Sequence, residues 1–286
     1  MMLAPDSPTL AQTLANLQKR GLDRLDAQLL LLHVLSIPIT QRGWLLAHDT
    51  DLLPAASADR LQALAQRRLA GEPLAYLTGS KAFYGLDLRV TPDVLVPRPD
   101  TETLVDWALE VLPTTAIATA RVLDLGTGSG AIALALKASR PTLDVWATDL
   151  SPAALAVAQA NAQRLQLEVC FNQGPWLDAL PAGTSPFDGI VSNPPYIADH
   201  DPHLAALRYE PDQALTSGSD GLDDIRRIIT TAPVHLKPGG WLLLEHGYDQ
   251  AEAVRDLLEQ NGFTHVQSRR DLAGIERCSG GQKPSA

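Results

Sequence analysis

The stretch Val122-Leu123-Asp124-Leu125-Gly126-Thr127-Gly128-Ser129-Gly130-Ala131-Ile132-Ala133-Leu134-Ala135-Leu136 decides the fold. Val122 to Leu125 is an apolar run of strand length, and Ala131 to Leu136 is a strong helix former. Glycines at 126, 128 and 130 between them allow a tight strand-to-helix turn, in which the backbone passes close to a ligand with no Cβ in the way. The spacing is G-x-G-x-G; the sixth place, where a dinucleotide fingerprint has its last glycine, is Ala131.

Downstream, strand-like and helix-like runs alternate. Val145–Thr148 is followed by a helix over Pro152–Leu165, then by apolar runs at Leu167–Phe171, Gly189–Ser192 and Trp241–Glu245. This is the pattern of an α/β fold, a mostly parallel sheet covered by helices, whose ligands sit at the carboxyl ends of the strands. Upstream, leucines at 22, 25, 29 and 32, and at 61, 64 and 69, have the spacing of a buried helix face. Between Tyr76 and Val96, short segments punctuated by Gly79, Gly85 and Pro92 predict a hairpin connector. The expected organisation is a helical domain over 1–75, a hairpin linker over 76–96 and an α/β domain over 97–286. The tail after Ser279 is expected to end in loose coil.

The 286 residues are 45% hydrophobic and 20% charged, an ordinary globular composition. A net charge of −10 lacks the broad positive field that affinity for a phosphate backbone needs, so no nucleic-acid partner is expected. Cys170 and Cys278 are far apart, with no His or Cys at metal-ligand spacing, so neither a disulfide nor a metal site is expected. Met1 to Thr13 carries no legible signal peptide and no apolar run approaches a membrane span, which predicts a cytoplasmic protein with no membrane partner.

The second strand runs into Asp149, 23 positions after Gly126, where a carboxylate accepts both hydroxyl protons of a ribose and repels a ribose phosphate. Ser151-Pro152 directly after it also starts a helix, as N-cap and first helical residue. Asp124 puts negative charge beside the glycine turn, which favours a cationic cofactor over a pyrophosphate. S-adenosylmethionine, with its sulfonium and ammonium groups, meets that condition.

The strand Phe187–Ser192 ends in Asn193-Pro194-Pro195-Tyr196. Consecutive prolines fix two φ angles and remove two N–H donors, which leaves a stiff corner of acceptors. The Asn193 side-chain oxygen and the Pro194 carbonyl are then placed to hold a planar NH2 group with its lone pair aimed at an electrophilic methyl, and Tyr196 supplies an aromatic face.

Together with the glycine turn, Asn193 to Tyr196 resembles the amino-methyltransferases. The resemblance is closest to the protein-glutamine methyltransferases of the PrmC/HemK family, which modify peptide-chain release factors. It extends over nearly the whole chain, through Gly71-Glu72-Pro73, Val96 to Glu102, Glu210-Pro211, Asp220-Gly221-Leu222 and Leu244-Glu245-His246-Gly247. It implies a Rossmann-like class I methyltransferase domain with a mostly parallel seven-stranded sheet, joined by a β-hairpin to a small N-terminal helical bundle that recognises the substrate. It further implies S-adenosylmethionine as donor, and as acceptor the glutamine of the release factors' Gly-Gly-Gln loop. Carried over by motif, Asp124, Gly126, Thr127, Gly128, Ser129, Gly130, Asp149, Trp176 and Asn193 bind cofactor; for Trp176 the residues alone read equally as core packing. Asn193, Pro194, Pro195 and Tyr196 hold the glutamine, with Asn193, Pro194 and Tyr196 catalytic. Pro175 stands where similar proteins often carry an acid.

Three rival readings are an exocyclic amine of a nucleic-acid base as acceptor, a nicotinamide dehydrogenase and a non-catalytic adaptor. The charge opposes the first, and the second leaves Asn193 to Tyr196 without a role. Arg98 and Glu102 read equally as a structural ion pair or a grip on substrate. Asp188 to Asp224 holds eight acidic residues against Arg208 alone, a stretch that reads as a solvated face and, as the alternative, as one that repels phosphate and attracts a basic loop. Gly280-Gly281-Gln282 repeats the expected substrate tripeptide, which raises self-methylation as a remote option.

Overall fold

The computed structural model describes residues 7–114 and 119–285. Met1 to Asp6, where part of the reading of the amino terminus falls, lie outside the described residues, as does Ala286. The chain divides into two compact units, 1–79 and 80–286.

The first unit is helical: α1 Leu10–Lys19, α2 Arg24–Val34, α3 Trp44–Ala47, α4 Ala55–Leu69 and α5 Leu74–Thr78. Thr9 starts α1 with a reciprocal capping box to Gln12, which satisfies two otherwise orphaned backbone donors. Leu10, Leu17, Leu30, Leu31, Leu32 and Leu61 fill its core.

The second unit opens with the hairpin β1 Ser80–Phe83 and β2 Leu86–Arg89. Tyr76 to Thr78, expected in the connector, are helical instead, and Gly79, at φ 76, closes α5 in the left-handed conformation that glycine adopts without strain. The hairpin is tied into this unit. Asn161, fully buried, accepts from Arg89 N through Oδ1 and donates through Nδ2 to the carbonyls of Arg89 and Ser129.

The rest alternates strand and helix: α6 Glu102–Val111, β3 Arg121–Leu125, α7 Ala131–Ser139, β4 Asp144–Asp149, α8 Pro152–Leu165, β5 Cys170–Gln173, β6 Phe187–Ser192, α9 Asp223–Thr231, β7 Leu236–Glu245, α10 Ala251–Gln260, β8 Thr264–Arg270 and β9 Glu276–Gln282. The seven-stranded sheet has the order β5-β4-β3-β6-β7-β9-β8; the pairs from β5 to β7 are parallel, and β9 is antiparallel to both neighbours. Side chains alternate across it. Val122, Val145, Val191 and Leu243 pack with α6 and α7 on one face. Leu123, Leu125, Ile190, Leu242 and Leu244 pack with α9 and α10 on the other.

Two expectations are corrected here. The strand expected at Leu167–Phe171 begins at Cys170, where pairing with Trp146 starts, and the apolar residues before it pack as loop. The tail is strand through Gln282, because Gly280 and Gly281 are held between β7 and β8. A Cβ at Gly280 would lie 2.5 Å from Leu243 Cδ2, and one at Gly281 2.8 Å from Phe263 Cβ. That packing explains the glycine pair. Gln282 pairs with Trp241, at the opposite end of the sheet from Asn193, and its amide donates to Gly239 O at 2.8 Å. The Gly-Gly-Gln tripeptide therefore lies away from its own chain's candidate site. Among the described residues, no helix is long and apolar enough to cross a membrane, and both cysteines are free thiols.

Candidate active site

At the carboxyl ends of β3, β4 and β6 lies a cavity of about 280 Å³. Its wall includes Gly126, Thr127, Gly128, Ser129, Asp149, Trp176, Asn193 and Pro195. Sequence-distant motifs meet there because β3 is the central strand of the three, paired with β4 on one side and β6 on the other. The helical unit carries a separate open surface depression of about 450 Å³ beside Arg24, Arg42 and Leu46, which holds none of the motif residues.

The glycine turn is wound by left-handed backbone: φ is 70° at Gly126, 56° at Gly128 and 85° at Gly130. Its N–H groups close on the protein itself. Gly126 and Thr127 both donate to Thr148 O at 2.9 Å, and Gly128 donates to Asp149 Oδ2 at 2.8 Å. Asp149 Oδ1 accepts from Ser151 N at 2.9 Å, and the Ser151 hydroxyl caps α8 by accepting from Ala154 N. The expected helix start and the acid on the cavity wall thus coexist, each carboxylate oxygen keeping acceptor capacity beyond its backbone bond. Burial raises the Asp149 pKa against those backbone bonds.

Asp124 lies behind the turn rather than on the cavity wall. It is 1% exposed; its Oδ2 accepts from Thr127 Oγ1 at 2.6 Å and from Ala133 N at 3.2 Å. Its Oδ1 is buried with no hydrogen-bond partner among the described residues. Burial pushes its pKa up to about 7, opposed by the Thr127 and Ala133 hydrogen bonds. Gly130 likewise stands off the wall, against Leu134 and Ala158.

Trp176, at φ 50°, packs its ring against Gly126, where a Cβ would lie 3.1 Å from Trp176 Cζ3. Its Nε1 donates to Asp224 Oδ1 at 3.0 Å, and Asp224 in turn accepts from the Ser217 hydroxyl at 2.8 Å. Sequence reasoning missed Asp224, which also lines the cavity.

Asn193 donates from Nδ2 to Thr101 Oγ1 at 3.2 Å. No backbone hydrogen bond reaches the carbonyls of Pro194 and Pro195 among the described residues. Pro194 and Tyr196 are not on the cavity wall. Tyr196 packs its ring partly buried against the α9–α10 core, and its hydroxyl faces Glu245 Oε1 at 3.5 Å. Its carbonyl accepts from Gln250 Nε2 at 3.0 Å, which anchors the corner.

Arg98 and Glu102 take different partners. Arg98, on the cavity wall, pairs with buried Glu210, which also accepts from Val96 N. Glu102 accepts from Tyr84 N at 2.8 Å and so holds the turn of the hairpin. Four of the eight acids in this stretch pair with a cation within the fold: Asp188 with Lys237, Glu210 with Arg98, and Asp220 and Asp223 with Arg226. Thr101 and Glu245 are the other residues sequence reasoning did not assign. They stand 144 positions apart, and both lie in stretches that carry the resemblance, Val96 to Glu102 and Leu244 to Gly247, without a role being assigned to either.

The methyltransferase small domain family matches residues 102–266, and the PrmC N-terminal domain family matches residues 9–79. The release factor glutamine methyltransferase of Bordetella pertussis is 56% identical over 263 residues, 91% of this chain and 95% of that one. Its counterpart in Burkholderia pseudomallei is 51% identical over 287 residues, 97% of this chain and 98% of that one. A solved methyltransferase from Pyrococcus furiosus superposes with a TM-score of 0.53 at 21% identity, over 77% of this chain and 97% of that one, a likeness of fold. The chain is a methyltransferase and belongs to the release factor glutamine methyltransferase family.

Proposed function

We propose that this enzyme transfers a methyl group from S-adenosylmethionine to the side-chain amide nitrogen (N5) of the glutamine in the Gly-Gly-Gln motif of peptide-chain release factors, and so modulates translation termination. One observation carries the reading: Asn193, its NH2 tied back to Thr101, shares a cavity wall with the glycine turn and Asp149. Bound there, S-adenosylmethionine supplies a methyl group on a positively charged sulfur. The residues fit that donor. Asp149, on the cavity wall, keeps acceptor capacity beyond its two backbone bonds for ribose hydroxyls, and Gly126 leaves the space beside Trp176 that a Cβ would fill.

Each residue then has a task. Asp149 would accept from the ribose hydroxyls, Gly126 to Gly130 would let the backbone approach the methionine part, and Trp176 would pack beside the adenine. An amide nitrogen is a poor nucleophile because its lone pair is delocalised, so rate comes from orientation rather than from a strong base. Asn193 Oδ1 and the Pro194 carbonyl accept from the glutamine NH2, while Pro195 and Tyr196 stiffen and back the corner. The helical unit recognises the body of the release factor. The reaction belongs in the cytoplasm, with no nucleic acid, membrane or metal as partner.

The test is transfer of a labelled methyl group to release factors and, in parallel, to DNA and RNA, with the modified residue mapped by mass spectrometry. Label on the glutamine of Gly-Gly-Gln and none on nucleic acid is expected. Label on a base amine, or on another residue of the factor, contradicts the reading.

A further inference from the structure

Trp176 stands in a conformation that its own residue type does not favour. At φ 50° it lies in the left-handed region, which is costly for a bulky side chain and persists only where the surroundings over-determine it. Three contacts hold it. Thr148 Oγ1 donates to the Trp176 carbonyl at 3.3 Å, the ring packs against Gly126, and the indole Nε1 donates to Asp224 Oδ1 at 3.0 Å. That N–H is the only polar atom of the ring, so one well-placed acceptor selects the ring's orientation.

Asp224 is itself held. Ser217, 4% exposed, donates its hydroxyl to Asp224 Oδ2 at 2.8 Å, and the same oxygen accepts from Asp224 N at 2.8 Å. A carboxylate only accepts, so the Ser217 proton points at Oδ2 and Oδ1 is left for the indole. Ser217 is fixed in turn by backbone: its N–H donates to Ile197 O at 3.0 Å, one residue past Tyr196. Both Asp224 and Trp176 line the cavity. A second tie joins the same elements, since Arg227 of α9 pairs at 2.8 Å with Asp178 of the 3-10 turn Trp176–Ala179. That pair lies on the surface and contributes little, whereas the indole bond is partly buried and goes to a carboxylate, the stronger kind.

We infer that Asp224 is a positioning residue that sets cofactor affinity through Trp176, by holding the indole ring against the glycine turn. It acts as a hydrogen-bond acceptor and not as a charge for the cationic donor, because each of its oxygens already receives a proton from the fold. The inference rests on the reading above that Trp176 packs beside the adenine.

The experiment compares Asp224→Leu, which removes the acceptor, with Asp224→Asn, which keeps an oxygen for the indole, can donate its NH2 to Ser217 Oγ and loses the charge. On each are measured the Kd for S-adenosylmethionine, kcat for methyl transfer at saturating cofactor, thermal melting and the Trp176 indole 15N–1H resonance, identified by its loss in Trp176→Phe. Asp224→Leu is expected to weaken Kd roughly tenfold, the usual effect of unpairing a buried donor, with kcat changed less than about twofold. Asp224→Asn is expected to recover Kd to within about threefold of the parent. The indole resonance is expected to move far in the leucine variant and little in the asparagine variant. In a Trp176→Phe background, Asp224→Leu is expected to weaken Kd by less than a further twofold or so, since the two side chains act as one unit. Asp178→Ala, which breaks only the surface tie, is expected to leave Kd within about twofold. Should Asp224→Leu not fold, Ser217→Ala takes its place, with the indole resonance displaced and Kd weakened about threefold.

An Asp224→Asn variant as weak as Asp224→Leu shows that charge is what acts and overturns the inference. Additive losses in the double variant show that Asp224 touches the cofactor directly and overturn it too, as does a loss in Asp178→Ala equal to that in Asp224→Leu. A parent that binds S-adenosylmethionine no better than Asp224→Leu does contradicts this inference alone. A parent that binds no S-adenosylmethionine contradicts the functional reading, and the inference falls with it.

Discussion

Two turns stand side by side at the carboxyl end of the sheet, one after β3 and one after β6, and they are opposites. The glycine turn is made of residues with the widest backbone freedom and is wound through three left-handed positions. It closes its own N–H groups on Thr148 and Asp149. The diproline corner is made of residues with the narrowest freedom, has no N–H to close, and keeps the Pro194 and Pro195 carbonyls unbonded among the described residues. The pairing of Leu125 with Ser192 brings the two turns together. The difference teaches a division of labour: the glycine turn makes room for a donor molecule, while the diproline corner aims an acceptor. Binding and turnover should therefore respond separately to substitution.

The largest expected effect is at the corner. Asn193→Ala removes an oriented acceptor and should raise the barrier by about 3 kcal/mol, roughly a hundredfold in kcat, with a smaller change in cofactor Kd. Calorimetry beside a transfer assay measures both. Equal losses of binding and turnover would erase the distinction between the turns.

The mirror-image result is expected at the glycine turn. Gly126→Ala puts a Cβ 3.1 Å from Trp176 Cζ3 at a φ of 70°, which costs about 1–2 kcal/mol in backbone strain before the collision is counted. Cofactor Kd should weaken about tenfold while kcat at saturating cofactor falls less. Gly128→Ala, where nothing lies within 4 Å of the added carbon, sharpens the comparison, because only the backbone cost remains and the loss should be smaller.

A subtler effect concerns charge behind the glycine turn. Burial holds the Asp124 pKa at about 7, so near pH 6.5 much of it is protonated in the free enzyme. A cationic donor favours the ionised form and lowers that pKa, so binding should release up to about one proton below pH 7 and none at pH 8.5. Calorimetric titration in two buffers of different ionisation enthalpy measures the release, and Asp124→Asn should abolish it. A release unchanged in that variant would remove Asp124 from the cofactor's field.

These turns were legible because each is local. Gly126 to Gly130, Ser151-Pro152 and Asn193 to Tyr196 are short runs whose residue types dictate backbone geometry at once. What sequence did not disclose is set by partners far along the chain. β5 is a sheet edge with Cys170 and Gln173 exposed, so hydropathy does not mark it, and pairing with β4 fixes where it begins. The tail has the composition of coil, yet Gly280 and Gly281 form a strand because Leu243 and Phe263 press on them from neighbouring elements. Asp124 resembled a cavity residue by position, but strand alternation turns it toward α7. Thr101 acquires meaning only when the fold carries it to Asn193, and Glu245 only when it is carried to Tyr196.

The central claim is tested most directly by a crystal structure of the enzyme with the demethylated cofactor and a glutamine-containing release-factor peptide. The account predicts the glutamine NH2 bonded to Asn193 Oδ1 and the Pro194 carbonyl, with its nitrogen directed at the cofactor sulfur across the cavity. A glutamine bound through its oxygen to Asn193 Nδ2, or lodged where no straight path leads to the sulfur, contradicts it.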